Sequence, residues 1–207
     1  MSLNDEMNEY ARWQARFATP GYAFGKEPNA FLKAQAHRLR PGQSALSVAD
    51  GEGRNGAFLA EQGLEVLSVD YSPVAQEKAR ALARQRRVTL RFELADMLMW
   101  TWTPEAFDVV VAIFIQFTKP PQRTAMFDGI KRTLKPGGLL LMEGYGLKQL
   151  DYQTGGPSDP AHLYTRELLE EAFGDFAALE IREYDSIINE GSRHAGMSAL
   201  VDLIGRK

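Results

Sequence analysis

Ala45-Leu46-Ser47-Val48-Ala49-Asp50-Gly51-Glu52-Gly53-Arg54-Asn55-Gly56 is the stretch on which the fold turns. Residues 45–49 read as a short buried strand. After Asp50, residues 51–56 spell Gly-x-Gly-x-x-Gly and run directly into a helical pattern that spans 55–62 and ends at a capping glycine, Gly63. Strand, glycine-rich turn and helix in that order open a β-α-β unit. Glycines allow backbone conformations closed to other residues and leave no Cβ between chain and ligand. The helix that follows offers its free N–H groups and positive dipole end to an anionic group.

Downstream the alternation repeats. Residues 65–70 read as a strand; 73–84 as a helix with Ser72 at the N-cap and Pro73 in the first position; 88–93 as a third strand. The run 107–115 is apolar and β-branched, as a strand buried on both faces should be. A helix over 121–134 carries Phe127, Ile130 and Leu134 on one face, and the turn 135–138 leads to a fifth strand at 139–143. This order predicts a parallel sheet with helices on both faces and right-handed crossovers. The tail departs from it. After a helix near 165–172, strands at 177–187 and 195–204 are separated only by 189–194, too short for a crossover helix, so the last strand must run antiparallel.

Upstream, the first forty residues read as helical with a break at Thr19-Pro20-Gly21. Tyr10, Trp13 and Phe17 form one apolar helix face. A second helix is expected from Pro28, carried by Phe31, Leu32 and Leu39 and stopped by Pro41-Gly42. The 207 residues suit one domain, with 1–42 as a helical cap and 43–207 as the core.

Composition narrows the function. A net charge of −3 supplies no long-range attraction for nucleic acid or anionic lipid, and the cluster Arg80, Arg84, Arg86 and Arg87 reads as the solvated end of a helix. With no cysteine, thiol catalysis, disulfides and cysteine-ligated zinc are excluded, and no metal site is expected. No apolar run is long enough to span a bilayer, and the first residues do not resemble a signal peptide, so a cytoplasmic location is expected.

In open α/β sheets, ligands sit beyond the carboxyl ends of the strands. Those ends carry Asp50–Gly56, Asp70, Asp96, Gln116-Phe117 and Gly144-Tyr145. Each strand delivers a glycine, a carboxylate or a polar–aromatic pair to the same rim, which marks a ligand crevice. Asp70, 19 residues after Gly51, ends the second strand where a carboxylate can accept hydrogen bonds from both hydroxyls of a ribose. On these two features a dinucleotide-binding loop fits as well as a methyltransferase loop. The late start of the sheet, the lack of a second domain and the antiparallel end favour the latter.

With those residues in view, the chain resembles the class I S-adenosylmethionine-dependent methyltransferases, and within them the small bacterial group similar to the tellurite-resistance methyltransferase. The resemblance rests on Asp50-Gly51-Glu52-Gly53-Arg54-Asn55, Val69-Asp70-Tyr71-Ser72, Ala95-Asp96-Met97, Phe107-Asp108-Val109-Val110 and Leu134-Lys135-Pro136-Gly137-Gly138. Tyr22-Ala23-Phe24-Gly25-Lys26-Glu27-Pro28 matches the segment leading into the cofactor site; Glu190-Gly191 and His194-Ala195-Gly196 match the terminal hairpin. It implies a Rossmann-like α/β fold: a seven-stranded, mostly parallel sheet with an antiparallel last strand, helices on both faces and an N-terminal helical extension.

The resemblance also implies roles. Gly51 and Gly53 face the methionine part of S-adenosylmethionine, Asp70 takes the ribose hydroxyls, and Asp96 with the Met97 backbone takes the adenine edge. Asn55, Tyr71, Ile113, Gln116 and Phe24 complete the expected cofactor set. Three positions depart from the pattern: Ser47 stands where the family has an acidic residue, Ala49 where it has glycine, and Asp50 where it often has cysteine. Asp50 is the expected substitute partner for the cofactor's amino group.

Methyl transfer from a sulfonium is an in-line displacement on an activated carbon, so holding donor and acceptor aligned supplies most of the catalysis. Tyr22, Phe24 and Phe117 are candidates to hold the cation with their ring faces. His194, in the 189–194 turn on the ligand rim, is the candidate base, and Tyr22 the second candidate catalytic residue. Trp13 and Arg16 could set the first helix over the cofactor as a lid. A small-molecule acceptor is expected, with no nucleic-acid or membrane partner and a monomer or homodimer. An NAD(P)-dependent oxidoreductase and a non-catalytic S-adenosylmethionine-binding module are the alternatives.

Overall fold

The computed structural model describes residues 3–191 and 194–207. Met1, Ser2, Ser192 and Arg193 lie outside the described residues, the last two within the expected hairpin turn. Helix α1 (Leu3–Phe17) precedes the break, and α2 (Ala30–Ala34) with a 3₁₀ turn (Ala36–Arg38) follows it. The core then runs β1 (Ser44–Val48), α3 (Arg54–Glu61), β2 (Glu65–Asp70), α4 (Pro73–Arg86), β3 (Arg91–Leu94), β4 (Phe107–Ile113), α5 (Gln122–Thr133) and β5 (Leu134–Tyr145). The tail is α6 (Gln149–Tyr152), a 3₁₀ turn (Pro160–His162), α7 (Arg166–Phe173), β6 (Ala178–Glu190) and β7 (His194–Arg206).

The seven strands form one sheet in the order β3-β2-β1-β4-β5-β7-β6. All pairings among the first five are parallel; β7 lies antiparallel between β5 and β6, so six strands share one direction. The strand order reverses between β1 and β4, which makes their carboxyl ends the natural ligand crevice. β4 shows why these strands read as continuous apolar runs. Val109 and Val111 pack with Phe31, Leu32, Phe58 and Leu59 on one face, while Val110 and Ala112 pack with Phe127, Ile130 and Phe173 on the other. A strand covered on both sides has no solvent face to mark with polar residues.

Local chemistry sets the helix starts. Ser72 Oγ accepts the Ala75 N–H and Thr165 Oγ1 accepts the Leu168 N–H, each satisfying a donor the helix cannot. The expected second N-terminal helix is shorter than its pattern. Asn29, not Pro28, is its cap, accepting the Leu32 N–H at 2.9 Å, and one α-turn then tightens to 3₁₀. Once Phe31 and Leu32 are buried, nothing further along this segment needs a helical face. β3 starts three residues later than expected, because α4 continues to Arg86 and ends on Arg87 in the left-handed conformation. β5 starts five residues earlier: Leu134 already pairs with Phe107, and the Pro-Gly-Gly turn becomes an irregularity within the strand.

Candidate active site

A cavity of about 410 Å³ opens where the carboxyl ends of β1, β2 and β4 meet α1. The loop after β1 supplies its floor. Ala49, Gly51 and Gly53 all have positive φ (48°, 56° and 82°), so the chain reverses sharply into α3. Ala49 holds the turn as expected, but as a side-chain-bearing residue in the left-handed region it is strained. Gly53 packs closely, since a Cβ there would sit 2.5 Å from that of Ala79 in α4. No other residue fits there.

Asp70 ends β2 with its carboxylate between two backbone donors: Oδ2 accepts the Gly51 N–H and Oδ1 the Ser72 N–H, each at 2.8 Å. Each oxygen keeps a further lone pair, and the residue borders the cavity. Burial outweighs these hydrogen bonds and, with the nearby Asp50, pushes its pKa up to about 6.

Asp50 corrects an expectation. It borders the cavity, but its carboxylate is turned into the loop, where it accepts from Ser47 Oγ (2.8 Å), Ser68 Oγ (2.7 Å) and the Gly56 N–H (3.1 Å). It braces the turn, leaving little for a cofactor amino group. Burial raises its pKa despite those bonds. A Cβ on Gly56 would lie 2.3 Å from Asp50 Oδ2, so the third glycine of the motif makes room for this carboxylate.

The other expected cofactor residues divide. Gly51, Asn55, Tyr71, Asp96, Met97, Ile113 and Phe24 all line the cavity, whereas Gly53, expected beside the ligand, faces Ala79 of α4 instead. Asp96 sits on its exposed edge and accepts the Leu98 N–H at 2.9 Å, shaping the turn after β3. Asn55 also spends its side-chain oxygen on the Asn29 N–H. Gln116 does not reach the cavity. Its amide brackets the Tyr145 backbone, accepting the N–H at 2.5 Å and donating to the carbonyl at 2.9 Å, and it also donates to the His162 carbonyl. Buried between β4 and β5, it completes backbone hydrogen bonds that the sheet edge leaves open. Tyr22 is also outside. Its hydroxyl donates to the Lys78 carbonyl at 3.1 Å and its ring lies beneath the Lys26 and Lys78 ammonium groups, so it ties the cap to α4. Tyr22 therefore has no place at the reaction centre. Phe117 does line the cavity.

The cap lies where the lid expectation put it. Glu9, Tyr10, Trp13 and Phe17 of α1 line the cavity roof. Tyr10 meets Tyr71 edge-on at 5.4 Å, Trp13 stacks on Phe17 at 5.5 Å with Arg16 over its ring, and Gln14 accepts Ser72 Oγ at 2.9 Å. A buried network fastens the cap to loop and hairpin. Arg54 Nη2 meets Glu190 Oε2 at 2.6 Å, and Glu190 Oε1 accepts from the Asn29 amide and the Ala30 N–H. The Asn29 amide also donates to Glu143 Oε1 at 2.6 Å. Burial, then the facing Asp202, push Glu143 far above the usual carboxylate range. Glu190 and Arg54 appear in the sequence only as motif letters; nothing in their spacing of 136 residues signals a buried pair.

His194 opens β7 on the cavity, packed against Phe24 (4.5 Å), Phe114 (4.4 Å) and Tyr145 (5.7 Å). Burial, with the positive charge of Arg54 and Arg16, pushes it down to about 3. His194 therefore lines the cavity as expected, with no carboxylate against its ring among the described residues. Phe114 carried no signal in the sequence. It sits at φ 55° just beyond β4, with its N–H on the Glu143 carbonyl at 2.7 Å.

Residues 45–138 match the family model described as a methyltransferase domain. An uncharacterized protein of Mycobacterium tuberculosis is 30% identical over 135 residues, 63% of this chain and 48% of its own, so the match spans about half the length of that relative. The N-methyltransferase NodS from Bradyrhizobium japonicum, solved with S-adenosyl-L-homocysteine, superimposes with a TM-score of 0.70 at 15% identity, covering 96% of this chain and 98% of that one. TehB from Haemophilus influenzae does so with a TM-score of 0.70 at 16% identity over 96% and 67%. At such identities the likeness is one of fold. Strand order, glycine loop and strand-end acid agree with the methyltransferase domain matched over residues 45–138, and the whole chain shares the fold of these solved methyltransferases.

Proposed function

We propose that this protein transfers the methyl group of S-adenosylmethionine to a small-molecule acceptor in the cytoplasm, with catalysis supplied mainly by positioning. The observation that carries the reading is Asp70: a buried carboxylate, fixed by two backbone N–H groups, with free lone pairs toward the cavity. That pair of acceptor oxygens suits the two donor hydroxyls of a ribose. Gly51 brings backbone close to the methionine portion, Tyr71 and Asp96 flank the nucleoside end, and Ile113 and Met97 supply apolar wall. When bound, S-adenosylmethionine supplies a methyl carbon already activated by its sulfonium. The chain's task is then to hold the acceptor in line and keep water out, which the aromatic roof of Tyr10, Trp13 and Phe17 serves.

Isothermal calorimetry with S-adenosylhomocysteine and with NADH tests this directly, followed by an S-adenosylhomocysteine-release assay with Asp70→Ala as control. Binding of the first ligand alone is expected. Tight binding of NADH alone would overturn the reading.

A further inference from the structure

The α1 roof of the cavity carries one charged side chain. Of the four α1 residues that line it, Tyr10, Trp13 and Phe17 are aromatic and Glu9 is a carboxylate. Spacings of three and four place them on one helix face. A carboxylate on an otherwise aromatic face needs hydrogen-bond donors. Its neighbour on the helix supplies little: Arg12 Nη2 meets Glu9 Oε1 only at 3.4 Å, with the guanidinium 64% exposed against 24% for Glu9. The nearby part of α1 is docked on the two residues that follow Asp70, through the Tyr10–Tyr71 contact and the Ser72–Gln14 hydrogen bond. Asp96, from the turn after β3, borders the same cavity, and beyond the Leu98 N–H its carboxylate keeps free lone pairs. Tyr71 lies among these acids. Burial, then the charges of Asp70, Glu9 and Asp96, push its hydroxyl above the usual tyrosine range, with Arg12 opposing.

We propose that Glu9 is a specificity residue for the base of the cofactor: together with Asp96 it accepts the two N–H donors of an exocyclic amino group on a ring packed against Tyr71. The proposal rests on the S-adenosylmethionine reading above. Asp70 accounts for the ribose hydroxyls and leaves two carboxylates, Glu9 and Asp96, that border the cavity beside Tyr71. An occupant that offers them nothing leaves both facing the ligand without a donor, which is costly. The 6-amino group of adenine has two hydrogens and can serve one carboxylate with each. The two acids also differ in where they stand. Asp96 is fixed in the core by its own turn, whereas Glu9 rides on the cap. A ligand held by both draws α1 onto the core, so the cofactor closes its own roof.

The test is isothermal calorimetry on the full chain with two ligands: S-adenosylhomocysteine, and its analogue in which purine, lacking the 6-amino group, replaces adenine. Each hydrogen bond to a carboxylate is worth about tenfold, so the wild-type protein should prefer the amino compound by about 100-fold. Glu9→Ala should lower that preference to about tenfold, chiefly by weakening S-adenosylhomocysteine, with the purine analogue kept within about twofold. Glu9→Gln retains one acceptor oxygen and should fall between the two. An unchanged preference in Glu9→Ala overturns the proposal, whether both affinities fall together, the mark of a packing role, or neither moves. A wild-type preference below about threefold overturns it as well. Purine discrimination is read only where S-adenosylhomocysteine binds; if the wild-type protein does not bind it, the S-adenosylmethionine reading fails and the role of Glu9 with it.

Discussion

The two ends of the cavity are made in different ways. At the cofactor end, the core residues that matter lie within 48 positions of one another, from Ala49 to Asp96, on consecutive β-α units. They are glycines and polar or aromatic side chains at strand ends and in the loops that follow them. At the hairpin end, Phe24, Phe114, Tyr145 and His194 come from the cap, β4, β5 and β7, and only the assembled sheet brings them together. The first end is local and belongs to the fold class. The second depends on long-range contacts, and it is where an individual member of the family can differ.

Several changes would break or sharpen that contrast. The largest effect is expected at the fastening between the ends. Arg54 and Glu190 meet at 2.6 Å with side chains only 7% and 9% exposed, so Arg54→Ala leaves a buried carboxylate unpaired and should cost about 3–5 kcal/mol. Chemical denaturation would measure it, and replacing both partners by apolar residues should recover most of the loss. Unchanged stability in Arg54→Ala would mean that the two ends are not coupled through this pair.

Asp70→Ala should act at the cofactor end. Two hydrogen bonds to a charged acceptor, about 1.5–3 kcal/mol each, would be lost to the ligand, weakening S-adenosylhomocysteine by about 100-fold or more in calorimetry. The same residue sets a pH dependence. Its folded pKa of about 6 lies above the unfolded value, so folding favours its protonated form. Its contribution opposes folding as pH rises from about 4 to 6. Ligand hydroxyls need the carboxylate, so the sign for binding is the reverse. Affinity should be level above pH 6 and fall by up to about tenfold per unit below it. A level affinity from pH 5 to 8 would remove Asp70 from the ribose site.

The smallest effect is expected at Ala49. Glycine there relieves the left-handed strain but adds unfolded-state freedom, so Ala49→Gly should stabilise by about 1 kcal/mol or less. A melting curve checks the sign.

The cofactor end was legible because its cues are local. Glycine before a helix, a proline after an N-cap serine and an acid at a strand end each have a mechanical meaning that neighbours do not alter. Even so, Asp50 deceived: its position suggested a ligand contact, whereas Ser47 and Ser68 draw its carboxylate under the loop. Ser68 lies on β2, and that pairing becomes visible only when β1 and β2 stand side by side. Gln116 and Tyr22 misled for a related reason. A polar or aromatic residue at a strand end or before a strand can serve either the ligand or the backbone next to it. Here the backbone of Tyr145 and the Lys78 carbonyl claimed them.

By itself the sequence determined the sheet, its direction, its antiparallel ending and the loop on which the cofactor site is built. Hydrophobic period, turn chemistry and connection length act over a few residues and leave few topologies open. Only the tertiary structure decided which side chains line the cavity, that His194 packs among Phe24, Phe114 and Tyr145, and that Arg54 reaches Glu190. Burial and partner distance are properties of the assembled chain. They set a group's charge and its task, and the pattern along the sequence does not contain them.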